Sequence, residues 1–318
     1  MSIYKIASPA ELVASVPAIL GFHPTQSLVG MWTDQEAELV WSIRFDLETP
    51  EPIIARTMLD LIERHNSEGR LLLVIYPGEH QLPSKVRDLM DRFTRHEVPV
   101  LDVLLVAEDR WWSMLCENGS CCPPEGTPVL QVVSNVEIAR IADGAPSVAR
   151  SRDELESRYE LHIDEQPSLT QLRQGAALVT GDVWDRAELA VELLTRLTDD
   201  ASDVSDDQAG VMHLLQDVKV RDITLASIID NDQREPLVSA LIDVALRTPE
   251  ELRPRIAGAA GAASAALGDS SVRTWCLLDL ADHDSLAVLV RHTVRYMVNP
   301  EQIRGLFRGA LNIMQDAK

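Results

Sequence analysis

Hydrophobic positions along the chain fall into two regimes. Up to about residue 135, short apolar runs alternate with stretches of helical spacing. Ser27 to Thr33 and Leu39 to Leu47 are β-rich runs separated by Asp34-Gln35-Glu36, the pattern of two strands joined by a short turn. Ile53, Ile54, Met58, Leu61 and Ile62 then recur at helical spacing over residues 53–65. Leu71 to Tyr76 is a continuous apolar strand ended by Pro77-Gly78, and a helix is predicted from Ser84 to His96 with Val86, Leu89, Met90 and Phe93 on one face. Pro99 to Val106 supplies another continuous strand. Strand, helix, strand in that order predicts a βαβ unit with two parallel, buried strands. Arg110 to Cys116 is expected to add an antiparallel strand.

The rest of the chain reads as helices. Ser151-Arg152-Asp153-Glu154 has the form of a capping box at a short helix. Helical patterns recur near residues 182–198, 207–217, 222–230, 234–247, 249–267, 271–281, 284–298 and 300–315. Thr248-Pro249-Glu250-Glu251 and Asn299-Pro300-Glu301 place proline at the first helical position. The run Ala257 to Ala266 contains only Ala, Gly and Ser, so it is expected to be a helix packed closely inside an all-α bundle. Residues 199–207 form an acidic loop, read as a solvated linker. The predicted architecture is an α/β part (a mixed sheet with a βαβ unit) over residues 1–160, followed by an all-α helical part over 161–318.

Charge narrows the function classes. Lys and Arg number 29 against 50 Asp and Glu, a formal charge of -21. The part before residue 135 and the part after it are both acidic, and no Lys/Arg run offers a basic footprint, so nucleic acid is not an expected partner. The N-terminal stretch lacks the charged start, apolar stretch and cleavage site of a signal peptide, and no apolar run is long enough to cross a bilayer. No membrane association is expected, and the predicted location is the cytoplasm.

Candidate chemistry gathers in three places. Leu20 to Val29 joins a predicted N-terminal helix to the first strand, with Gly21 and Pro24 shaping a turn that carries His23, Thr25 and Ser27. A hydrogen-bonded turn histidine is preferred there over a general base or metal ligand. Arg44 and Asp46 stand two apart on one strand and so share a face, where they would pair with each other or orient an anion. Asp109 and Arg110 follow the second parallel strand, and Glu79 and His80 the first, where open α/β sheets place ligand loops. Cys116, Cys121 and Cys122 lie near a proline-stiffened turn. Structural zinc would need four Cys or His ligands in paired spacing, and no second pair is visible, so zinc is not the favoured reading and the cofactor stays open. A cysteine-containing hairpin is preferred over a metal site, a disulfide or a thiol nucleophile. Phosphate-loop, dinucleotide, His-Glu-x-x-His and Gly-x-Ser-x-Gly motifs are absent.

Several segments together resemble an actinobacterial family described as domain of unknown function 4192. They are Gly-Phe-His-Pro-Thr-x-Ser-Leu-Val from Gly21 to Val29, Arg44-x-Asp46-Leu47, Asp109-Arg110-Trp111-Trp112-Ser113, Cys121 to Pro128, and Ser151 to Leu155. The resemblance implies the two-part layout and an intracellular place. It brings no activity, substrate or cofactor.

Two functional readings follow. The preferred one is a non-catalytic interaction or assembly module whose helical half meets a protein partner or a second copy. The alternative is an enzyme or small-ligand-binding protein with an anion-accepting crevice in the α/β part, lined by His23, Ser27, Arg44, Asp46, Asp109, Arg110 and Cys122.

Overall fold

The computed structural model describes residues 8–65, 68–77, 83–116, 122–129, 134–198, 205–268 and 271–316. Its contacts divide the chain into two units. One runs to Ile141 and also takes in Ser147–Arg152; the other takes in Ala142–Pro146 and the chain from Asp153 on.

The first unit is the α/β part. Its elements are α1 (Pro9–Leu20), β1 (Ser27–Asp34), β2 (Leu39–Asp46), α2 (Glu51–His65), β3 (Gly69–Tyr76), α3 (Pro83–Arg95), β4 (Val100–Ala107), β5 (Arg110–Ser113), β6 (Thr127–Pro128) and α4 (Asn135–Ala142). The sheet order is β2-β1-β3-β4-β5-β6. β3 and β4 are parallel, as the strand–helix–strand pattern predicts; the other neighbouring pairs are antiparallel.

Alternation assigns the two faces. Leu12, Val13 and Val16 of α1 pack with Val29 and Met31 of β1, Leu72 and Val74 of β3, Leu104 of β4 and Trp111 of β5. The opposite face carries Gly30, where an added Cβ would lie 2.3 Å from Met58 Cε of α2. α3 stands beside α2, tied by a fork from Arg92 to Glu51 with contacts of 2.7 and 3.2 Å. A sheet covered on both faces explains why β1, β3 and β4 read as continuous apolar runs rather than alternating ones.

β5 is shorter than its apolar run suggests. It ends at Ser113, whose hydroxyl accepts a hydrogen bond from the Cys116 backbone N–H (3.1 Å) and so turns the chain. The same hydroxyl donates to Asp102 of β4 (2.7 Å), fixing that turn to the sheet.

The second unit is helical: α5 (Arg152–Ser157), α6 (Leu169–Ala177), α7 (Val183–Thr198), α8 (Ser205–Leu214), α9 (Val218–Ile229), α10 (Arg234–Arg247), α11 (Arg253–Leu267), α12 (Ser271–Leu280), α13 (Ser285–Arg295) and α14 (Pro300–Asp316). α11 is buried without a break from Ile256 to Ala266. Its small residues admit neighbours closely: an added Cβ would meet Leu278 at Gly261 (2.7 Å) and the Asp284 carboxylate at Gly258 (2.6 Å).

One expectation from sequence changes here, and one helix is added. Pro249 does not start a helix: Thr248 caps the end of α10, its hydroxyl donating to Val244 (2.6 Å), and α11 begins after a turn, with Pro254 in its first turn. α6 carries too few apolar residues to show helical periodicity. Its start is nonetheless a full capping box in which Ser168 and Gln171 satisfy each other's backbone N–H. Gly175 lets α6 lie against Ala209 of α8, where a Cβ would fall 2.4 Å from the Ala209 carbonyl carbon.

The helical core also buries charge. Arg273 of α12 is 1% exposed and pairs with Glu235 of α10 at 2.6 Å. Removing one partner of such a pair costs far more than replacing both. Glu235→Gln should lower unfolding stability in denaturant by about 3–5 kcal/mol. The double change Glu235→Leu with Arg273→Met should recover most of that loss; a double variant as weak as the single one would refute this account.

Candidate functional site

The residues singled out in sequence lie mainly at one end of the α/β sheet, where β1 begins and β2, β3 and β4 finish. α1 ends there because Gly21 takes a left-handed conformation (φ 83°) and donates to Pro17 (2.8 Å). The next residues pair with a distant segment. Phe22 bridges Ala149, the His23 N–H donates to Ala149 (3.0 Å), and the Ala149 N–H donates back to Gly21 (2.9 Å). The His23 side chain itself is exposed, so the part of His23 with an evident role is its backbone.

Ser27 is wholly buried at the start of β1. Its hydroxyl donates to the Thr25 carbonyl (2.7 Å) and accepts from Arg44 Nε (2.9 Å). Arg44 also pairs with Asp46 at 2.6 Å, with side chains 15% and 60% exposed. The strand spacing that places Arg44 and Asp46 on one face therefore yields an ion pair latched to β1. The guanidinium reaches this site already balanced by a carboxylate.

Asp109 and Arg110 have different neighbours. Glu108 and Asp109 form the two-residue connection from β4 to β5, closed by Ala107 opposite Arg110. Both have positive φ (52° and 58°), as a primed hairpin turn requires. Glycine or asparagine usually fills such positions, so neither residue advertises the turn in sequence. Arg110 donates to the carbonyls of Glu125 (3.3 Å) and Gly126 (2.8 Å), and Trp112 donates to that of Pro124 (3.0 Å). Gly126 (φ 77°) lies so close to the Trp112 ring that a Cβ would be 2.4 Å from it. Arg110 and Trp112 thus fold the Pro123–Pro128 segment back onto β5.

Cys116 and Cys122 are half-buried, as is Cys276 of α12. Cys121, Glu79 and His80 lie outside the described residues, as do residues 199–204 of the acidic stretch. Among the described residues, no group of three His, Cys, Asp or Glu side chains is placed to hold a metal ion, and no helix is long and apolar enough to cross a membrane.

Structure adds residues that sequence reading did not single out. Ser27 stands opposite Asp46 on one side and Tyr76 on the other. Tyr76 packs against the core under α1, its hydroxyl is buried with no hydrogen-bond partner among the described residues, and burial pushes its ionisation well above the ordinary tyrosine range. Trp111, on the same face, buries an indole N–H that also lacks a partner. Only the pairing of strands reveals these two. Local spacing marks Tyr76 as the end of a strand and Trp111 as half of an aromatic pair.

The fold and this sheet end define a two-unit protein, a covered mixed sheet followed by a helical bundle, with its sequence-marked residues at one end of the sheet. The chain belongs to the family described as Domain of unknown function (DUF4192), whose profile matches residues 9–301. No curated protein and no solved structure matches it.

The turn role of Asp109 is directly testable. Asp109→Gly should hold or raise thermal stability, because glycine adopts positive φ freely, whereas Asp109→Val should lose about 1–2 kcal/mol. Equal stability of the two variants would remove the turn from the account of this residue.

Proposed function

We propose that this protein is a non-catalytic assembly module whose helical unit self-associates through α14. The observation that carries the reading is the outward face of that helix. Gln302, Leu306, Gly309, Ala310 and Ile313 recur at helical spacing, all exposed and none charged, with Leu306 at 58% and Ile313 at 72% exposure. An added Cβ at Gly309 meets nothing within 4 Å, so internal packing gives no reason for glycine there.

Charge argues for a second copy as the occupant. Each chain carries -21 overall, and like charges oppose the meeting of two copies over most of their surface. α13 and α14 are different: Arg291, Arg295, Arg304 and Arg308 stand against Glu301 and Asp316. An uncharged strip in this less acidic region is where two copies meet at least electrostatic cost. A symmetric contact then needs only one such patch per chain.

The helix is firmly held for this role. Ile303 and Phe307 are buried on its inner side. Arg308 reaches Asp230, which caps the end of α9, with two contacts of 2.9 Å, and Glu301 at 2.8 Å. Hydrogen bonds from Arg308 and Arg304 pull the Glu301 carboxyl down from 4.5 to about 2. A carboxylate with a depressed folded-state pKa stabilises the folded form above its unfolded value and loses that contribution as pH falls through the folded value. The amide protection factors of α14, with exchange corrected for its intrinsic rate at each pH, should therefore fall as pH is lowered from 4.5 to about 2, and Glu301→Gln should flatten that dependence. An unchanged profile in the variant would dissociate Glu301 from the tether.

For association itself, sedimentation equilibrium of the full chain should show a concentration-dependent dimer. Leu306→Glu with Ile313→Glu should leave a monomer of unchanged melting temperature. A wild type that stays monomeric at its highest soluble concentration, or a dimer indifferent to the double change, would overturn the proposal.

A further inference from the structure

The outward face of α13 is left uncovered by the folding of the helical unit. Only Ala287 and Val290 of this helix are buried. Ser285, Val288, Leu289, His292 and Tyr296 follow at intervals that place them on one side of the helix, all exposed. Val288, Leu289 and Tyr296 are 42%, 55% and 47% exposed, and the Tyr296 ring stacks on that of His292 with centroids 6.4 Å apart. The strip is about 16 Å long. Apart from α14, the other large apolar residues exposed in this unit stand singly or at helix ends. Ile163 lies in a short turn, Leu169 starts α6, Leu178 and Val179 follow its end, and Val218 starts α9.

Charge distinguishes this helix further. α13 contains no Asp or Glu, in a chain with 50 of them. The carboxylate just before it, Asp284, is 6% exposed and is occupied in capping the helix and reaching Arg221. Arg291 and Arg295 stand one turn apart along one edge of the strip. Arg291 donates to the carbonyls of Asp282 (2.7 Å) and Leu278, neutral acceptors that supply no negative charge. Arg295 is exposed, and neither arginine pairs with a carboxylate among the described residues. In α14, by contrast, Arg304 and Arg308 are both held by Glu301, and Arg308 by Asp230 as well.

We propose that this face of α13 docks an acidic amphipathic helix of another protein. Its aliphatic side chains cover Val288, Leu289 and Tyr296, and its carboxylates meet Arg291 and Arg295. Anchors at i, i+3, i+4 and i+7, here Ser285, Val288, Leu289 and His292, are the pattern by which one helix reads another. Charge selects the occupant. A second copy laying its own α13 on the strip would bring no carboxylate to these arginines. An anionic lipid surface would supply the charge, but a flat bilayer also faces the rest of a chain that carries -21 and is repelled by it. A single helix touches the strip alone. This inference is independent of association through α14, and either proposal survives the failure of the other.

The probe is a fluorescein-labelled peptide of three heptads with Leu at the a and d positions and Glu at e and g, whose own pairing the glutamates oppose. Its fluorescence anisotropy should rise to saturation on titration with the full chain, and equally with the chain carrying Leu306→Glu and Ile313→Glu. Leu289→Glu, at an exposed position, should weaken binding more than about tenfold and leave the melting temperature unchanged. Arg295→Ala should weaken it about two- to fivefold, the scale of one solvent-exposed ion pair. Anisotropy that stays flat to the highest soluble protein concentration, or binding indifferent to either change in a folded variant, would overturn the proposal. Phosphatidylglycerol vesicles that float the wild type but not Leu289→Glu would overturn it too, assigning the face to a lipid surface. A dimer that Leu289→Glu converts to a monomer in sedimentation would assign the face to a second copy instead.

Discussion

The α/β unit depends on the pairing of β1 on both its edges. From Ser27 to Thr33 every residue of this strand is buried, and it is hydrogen-bonded to β2 on one side and β3 on the other. Such a strand commits two others at once. A one-residue slip would move Val29 and Met31 from α1 to α2 and bring Gly30 to the wrong face. Gly30 fixes the register from one side, since a larger residue there would meet Met58. The stacked pair Trp32 and Trp41, 6.2 Å apart and nearly parallel, reinforces the β1–β2 register near the other end. The price of burying this strand is that its polar residues must be satisfied in place, which Ser27 achieves through Thr25 and Arg44.

The helical unit meets the same demand differently. Its central helix, α11, has almost no side-chain volume, so neighbouring helices come close enough for charged groups to pair across the core. Arg273 meets Glu235, and Arg221 reaches both Asp222 (2.8 Å) and Asp284 (3.5 Å). Asp284 also caps α13, accepting from the N–H groups of Leu286 and Ala287. It packs against Gly258 so tightly that a Cβ there would collide with its carboxylate. One carboxylate thus joins a helix start, a buried arginine and the small-residue face of α11. Pairs of this kind stabilise less than apolar packing would, yet breaking one is costly, and that asymmetry favours a single arrangement of the helices.

Sequence conveyed the sheet and most helices because both leave a periodic signature. The continuous runs Leu71 to Tyr76 and Pro99 to Val106 announce buried parallel strands, and the Ala/Gly run announces close packing. The pairing of Arg44 with Asp46 was legible too, since residues two apart on a strand share a face. What stayed hidden depends on partners distant in sequence or on unusual chemistry in a familiar place. The hairpin turn at Glu108-Asp109 carries no glycine or asparagine. Pro249 follows a threonine in the pattern of a helix start, yet that threonine caps the preceding helix. Ser113 looks like the tail of an aromatic motif until β4 brings Asp102 beside it. Tyr76 and Trp111 share a row only after three strands are in register.

The conspicuous residues of a sequence need not be the ones that folding leaves idle. Arg110 and Trp112 hold a loop, Arg44 is balanced by its neighbour, and the evident role of His23 lies in its backbone. Each is distinctive because a tight turn or latch demands that residue type, which is a reason of stability. The converse features look ordinary in sequence. An uncharged strip on α14 and the buried Tyr76 hydroxyl and Trp111 indole, without partners among the described residues, serve no visible purpose in holding the fold. Departures from local consistency that bring no structural return are where function is to be sought. By that criterion the exposed strip of the end helix, rather than the charged turn residues, is the feature that holding the fold leaves unexplained.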